Sequence, residues 1–249
     1  MLPERLLWNE PNLAREWGGR PPDPAAYVEL LRVAYRAIKE ADPQAVVVSA
    51  GLAQTGTEPG VSMADDEYLQ AMYTAMGGDS NLYFDALGAH ALGFKALPEV
   101  SPADAAANPE YGGQSFFTFC RVEDLRQIME AHGDADKQVM ITEFGWTSDP
   151  RPDSPYHWHA VTEEQKADYL VRAYGWAEAH WQPWIGPLFV FALADPAWTP
   201  EDEGYWWAIT DPSGEVRPAW NTLRKMTRAR WGGNGRDWRS VVLPGGRKP

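Results

Sequence analysis

Short apolar runs alternate along this chain with longer segments whose hydrophobic positions recur at helical spacing. Leu6-Leu7-Trp8 is the first run. A Pro/Gly-rich loop separates it from Asp23-Pro24, an N-cap followed by a proline suited to the first helical position. Tyr27, Leu30, Leu31, Ala34 and Ile38 then share one helical face, and Asp42-Pro43 stops the helix. Residues 45–50, Ala-Val-Val-Val-Ser-Ala, are apolar on both faces, as a parallel strand covered by helices must be. The loop 51–60 and a helix over 65–76 follow. A third strand, 84–90, ends in His90, and a loop from 91 to 119 is too long to be a mere connector.

The second half repeats the rhythm. A helix over 122–132 turns Val122, Leu125 and Met129 inward and is closed by Gly133. Val139-Met140-Ile141-Thr142-Glu143-Phe144-Gly145-Trp146 is the fourth strand, and a long loop, 147–161, follows it. Thr162 and Gln165 form a capping box opening a helix to His180, which buries Leu170, Tyr174, Ala177 and Trp181. A fifth strand spans 185–193, and Pro218 begins a last helix that turns Trp220 and Leu223 inward. Strand followed by helix, five times over, predicts an α/β fold with a parallel sheet. No Gly-rich phosphate turn follows an early strand, which argues against an open doubly wound sheet.

Two strand ends carry the candidate chemistry. The first run breaks off at Asn9-Glu10-Pro11, and the fourth at Glu143, so two glutamates emerge from buried strands 133 residues apart. A carboxylate pair facing one cleft is the equipment of glycoside hydrolysis, in which one group protonates the leaving oxygen and the other attacks or activates water. Thirteen tryptophans strengthen this reading, because several fall in loops (Trp17, Trp146, Trp158, Trp198, Trp206, Trp207) where an aromatic face can support a sugar ring. His157 and His159 sit two apart with no third ligand of matching spacing, so no metal is expected.

Bulk properties bound the rest. The chain's 249 residues suffice for one substantial core, and its net charge of −13 argues against nucleic acid or an anionic membrane as partner. From Arg224 onward eight basic residues face a single acidic one. The domain therefore reads as 1–228, with 229–249 a basic, Gly-rich tail. Cys120 has no partner for an internal disulfide, no run is apolar enough to span a membrane, and no signal peptide precedes the first strand, so localisation is not read from the sequence.

Trp8-Asn9-Glu10-Pro11-Asn12, His90 after Phe84-Asp85-Ala86-Leu87-Gly88, and Ile141-Thr142-Glu143-Phe144-Gly145-Trp146 resemble motifs of the clan A retaining glycoside hydrolases, with bacterial cellulase-like and xylosidase-like members nearest in character. The segment from Ile209 to Trp220 is similar to the stretch leading into that clan's eighth helix. The resemblance implies an eight-stranded barrel whose fourth strand ends in the acid/base glutamate, here Glu10, and whose seventh ends in the nucleophile, here Glu143. The five βα units then correspond to the fourth to eighth, a partial (β/α)8 TIM barrel forming the C-terminal part of a larger protein that could itself be secreted. Such a sheet has two unpaired edges, to be covered by a homodimer partner or by the missing N-terminal half of the barrel.

The resemblance also implies site residues. Asn9 would hydrogen-bond the sugar 2-hydroxyl, and His90 would line the site or hold Glu143. Trp146, Trp198 and Phe191 would be sugar platforms, Phe191 standing where relatives carry a tryptophan and so lacking its N–H donor. Where relatives carry a tyrosine two residues after the histidine, this chain has Leu92. The implied activity is retaining hydrolysis of a β-linked poly- or oligosaccharide through a covalent glycosyl-enzyme, with no cofactor and no metal. The alternative is a catalytically inactive, carbohydrate-binding barrel fragment.

Overall fold

Parallel strands pair only with their sequence neighbours in this computed structural model, which describes residues 4–231. The strands are β1 (Glu4–Leu7), β2 (Val46–Ser49), β3 (Ala86–His90), β4 (Gln138–Phe144) and β5 (Ile185–Val190), in the order β1-β2-β3-β4-β5. A sheet that never reverses its strand order is singly wound, with its crossover helices on one face. It forms an open section of a (β/α) barrel, five of the eight units.

The helices follow the apolar spacing that predicts them. Helix α1 (Pro24–Ala41) is capped by Asp23, whose side chain accepts from the Ala26 N–H, and α2 (Asp65–Ala75) packs beside it. Helix α4 (Val122–Ala131) buries Val122, Leu125 and Met129. Helix α5 (Glu163–His180) opens with both halves of the Thr162–Gln165 capping box in place. Helix α7 (Pro218–Trp231) packs on α5 and runs past residue 228, so the boundary of the expected tail falls within a helix; residues 232–249 lie outside those described. Two further short helices, α3 (Pro102–Ala107) and α6 (Glu203–Trp207), lie inside stretches that the sequence pattern leaves as loops.

The main core lies between sheet and helices. Leu87, Val139, Ile141, Phe144 and Ile185 meet Tyr27, Leu31, Leu69, Met129 and Leu170, each burial of such a side chain stabilising by about 1.5–3 kcal/mol. The concave face is far thinner, a cluster of Val48, Ala86 and Met140 with Val46 against it. At the two sheet edges Leu6 and Phe189 are 47% and 44% exposed. Leu30, expected to face inward, is exposed, as is Val33 on the same helix.

Candidate active site

The strands end at a cleft of about 430 Å3 whose walls include Asn9, Glu10, Leu92, Glu143, Phe191 and Trp207. A larger hollow, about 650 Å3, opens at the other end of the strands between Asp85, Arg126, Lys137 and Trp184. It brings together no residue of the two glutamate motifs.

Backbone irregularities aim both glutamates. Along β4, Val139 and Ile141 point into the helix-side core while Met140 faces the concave side. Strict alternation would send Glu143 the way of Ile141. Instead the β3–β4 register shifts after the Ala89–Ile141 pair, so that His90 stands opposite Glu143 and Thr142 is the extra residue. A bulge of this kind re-aims a side chain. Glu10 and Trp8 have φ of 42° and 79°, a left-handed conformation costly for side chains with a Cβ. The turn is held by the Glu10 N–H donating to Gly51 O and by the buried Asn12 amide, which donates to Ala53 O and Met63 O and accepts from the Ala53 N–H.

His90 joins the two carboxyl groups. It is 1% exposed, and its Nδ1 lies 2.9 Å from Glu10 Oε1 and 3.8 Å from Glu143 Oε2. Two oxygens that close to one nitrogen can be no farther apart than the sum of those distances, about 6.7 Å. The ring has room only because residue 51 is glycine, where a Cβ would overlap it. Arg15 Nη2 stands 3.4 Å from the other oxygen of Glu10.

The surroundings split the acids. Burial alone would raise the Glu10 carboxyl, but the hydrogen bond and charge of His90, joined by Arg15, outweigh it and leave it below the ordinary value of 4.5. Glu143 goes up, first through burial and then through the negative charges of Glu10, Glu203 and Glu16, which together exceed the pull of His90. His90 is raised in spite of its burial, because both glutamates favour its charged form. The surroundings thus favour the ionised form at Glu10 and the protonated form at Glu143, the reverse of the acid and nucleophile roles that the resemblance implies.

Of the other expected site residues, Asn9 and Phe191 line the cleft. Trp146 does not: it is fully buried on the helix side, donates Nε1 to Ala96 O and packs on Phe119 and Tyr169. That corrects the expected platform, and alternation explains it, since Trp146 sits two residues beyond the core-facing Phe144. Trp198 is half-buried, its ring lying across Gly204, and is not among the residues lining this cleft. Leu92 reaches the cleft, its carbonyl accepting from the Gln54 amide, which also donates to Phe116 O and Thr118 O. His157 and His159 diverge. His157 Nδ1 meets Asp149 O, while His159 packs against Phe94 and Trp207, and burial pushes its imidazole down to about 4.

Arg15, Tyr156 and Glu203, all on the cleft wall, are not among the residues that the sequence pattern singles out. Burial and a hydrogen bond to Glu203 raise the Tyr156 phenol. Arg15 lies five residues beyond Glu10, and Tyr156 lies in a loop whose length already marked it, but nothing local distinguishes Glu203. Trp207, one of the loop tryptophans, supplies a buried wall.

The backbone is similar to solved structures of glycoside hydrolases. A glucosidase from Croceicoccus marinus matches with a TM-score of 0.58 at 15% identity, over 89% of this chain and 39% of that one. The GH39 enzyme from Xanthomonas axonopodis pv. citri matches at 0.54 and 20%, over 89% of this chain and 39% of that one. A GH128 exo-beta-1,3-glucanase from Aureobasidium namibiae matches at 0.54 and 13%, over 88% and 66%. The chain therefore spans about two fifths of the first two and about two thirds of the third. No family model matches the sequence, and no curated protein does. The likeness establishes the barrel architecture and its βα order.

Proposed function

We propose that the chain carries the active centre of a retaining O-glycosidase acting on a β-linked poly- or oligosaccharide. One observation carries the reading: two glutamates from different strands converge on a single histidine at the floor of one cleft. The ceiling of 6.7 Å on this one pair of oxygens accommodates the ~5–5.5 Å carboxyl spacing of retention. The glycoside hydrolases similar in backbone support the same class.

In this reading Glu143 attacks the anomeric carbon, and Glu10 protonates the departing oxygen and then deprotonates the incoming water. The glycosyl–oxygen bond breaks as the ester to Glu143 forms, and water reverses the exchange. Chemistry requires Glu10 to carry the proton and Glu143 to be ionised, whereas in the free protein the Glu10 carboxyl is lowered and the Glu143 carboxyl raised. A sugar ring whose glycosidic oxygen displaces the Glu10–His90 hydrogen bond removes what holds Glu10 ionised and so favours its protonated form. Asn9 stands at the cleft to bind the 2-hydroxyl, and Phe191 offers a ring face for stacking.

A 2-fluoro-glycoside with an activated leaving group tests this. Peptide mapping is expected to find the label on Glu143, and Glu143→Gln to lose at least about 10³-fold in kcat. A label on Glu10 would reverse the roles, and turnover without any label would remove retention.

A further inference from the structure

Lys166, in the first turn of α5, is fully buried, and no step of the proposed chemistry uses it. A buried ammonium survives only where acceptors replace water. Its Nζ lies 3.0 Å from Ser148 Oγ, 2.9 Å from Glu163 Oε1, 3.0 Å from Trp206 O and 3.3 Å from Ala208 O. Glu163 faces it from its own helix. Arg217, on the segment before α7, faces the group from outside, 3.5 Å from Glu163 Oε1 and 3.3 Å from Ala208 O.

Three of these acceptors, on Ser148, Trp206 and Ala208, belong to the two segments that build one wall of the cleft. Ser148 opens the loop that carries Tyr156 and His159, and Trp206 and Ala208 flank Trp207 at the end of α6, which also carries Glu203. Trp206 O receives the Ser148 N–H as well, at 3.1 Å, so one carbonyl draws in both loop and lysine. Burial pushes the ammonium down to about 8, with Glu163 pulling the other way and Arg217 adding to the burial effect, so the group remains charged at neutral pH.

We propose that Lys166 is the positioning residue of this wall: its ammonium fastens the Tyr156–His159 loop to the Glu203–Trp207 helix, so that a saccharide meets a surface already in place. The ligand is that of the glycosidase reading, on which the proposal rests. Preorganisation of this kind acts on binding, because the wall's ordering is complete before the ligand arrives.

Lys166→Met keeps the aliphatic stem and removes the charge. KM for an oligosaccharide substrate is expected to rise about tenfold while kcat stays within about threefold. Deuterium uptake is expected to rise in peptides covering 147–161 and 203–209 and to stay unchanged in peptides covering 9–13 and 88–92. Lys166→Arg should restore part of both. Should the methionine variant fail to fold, Ser148→Ala, which removes one acceptor and leaves the lysine, is read in the same two ways with about a threefold rise in KM. Unchanged uptake in the two wall segments overturns the proposal, as does a rise spread evenly over the chain, or a fall in kcat at constant KM. Deuterium uptake needs no substrate, so a chain that cleaves no glycoside still shows whether the clamp holds, separately from the glycosidase reading.

Discussion

The floor of the cleft and its outer wall are built by different means. The floor, Glu10 with His90 and Glu143, stands at the ends of the parallel strands β1, β3 and β4. Its geometry is set by main-chain register, a bulge and a left-handed turn, and by the close approach of Gly51 to the His90 ring. The wall, Tyr156 and His159 with Glu203 and Trp207, stands on long connections, and side-chain donors reaching carbonyl oxygens hold it. A floor made of register cannot be displaced without unpairing strands, whereas a wall tied by individual hydrogen bonds can loosen by itself. In the proposed reading, chemistry sits on the first kind of support and recognition spreads over the second.

The largest expected break in that contrast comes from Gly51→Val. Any Cβ at this position meets the His90 ring, so the histidine must swing away and carry Glu10 with it. Overpacking of this sort costs about 1–3 kcal/mol, read as a lowered thermal midpoint. Glycosidase activity should fall about 100-fold or more with it, since Glu10, the general acid of the proposed reading, is displaced. A variant with an unchanged midpoint and full activity would show that the floor is not held by this contact.

The pH dependence is the next effect in size. Glu10 is depressed, so its contribution to stability is present above 4.5 and lost as pH falls through its folded value. His90 is raised, so its contribution is full below 6.5 and lost as pH rises through its folded value. The raised Glu143 has the same sign as His90, with its contribution full below 4.5. The three together place the floor's greatest stability on the acid side of neutrality, checked by thermal melts across pH 3 to 9, the range being chosen as roughly two units beyond each ordinary value. His90→Gln should flatten the alkaline arm and raise the acid limb of kcat/KM, because Glu10 loses its positive neighbour. Wall substitutions that leave Glu203 in place should leave both limbs where they are.

The smallest effects separate platform from packing. Phe191→Ala should raise KM about three- to tenfold, in line with the ~0.5–1.5 kcal/mol of an aromatic contact. Trp198→Ala, off the cleft wall, should leave KM within about twofold, the scale of surface substitutions. Equal effects of the two in parallel titrations would mean that the ring over Gly204 also reaches the sugar.

Much of this architecture was legible in local pattern. Pro24 after Asp23, the Thr162–Gln165 box and the apolar runs ending at Glu10, His90 and Glu143 are short-range signals, and the elements they announce are present. Trp146 misled because residue type says that a ring can stack, not which face of the sheet it occupies. Glu203 carried no signal, since its place on the cleft depends on how separate connections come to rest.

The sequence by itself determined the βα order and put a carboxylate at the end of two strands, because periodicity and helix capping act over a few residues. The tertiary structure alone decided that these carboxylates share a histidine. A one-residue shift between β3 and β4 turns Glu143 from the core toward the cleft, and a left-handed Glu10 points its side chain at the same nitrogen. Strand register is an agreement between distant segments, and it has no local signature for a single stretch of sequence to display.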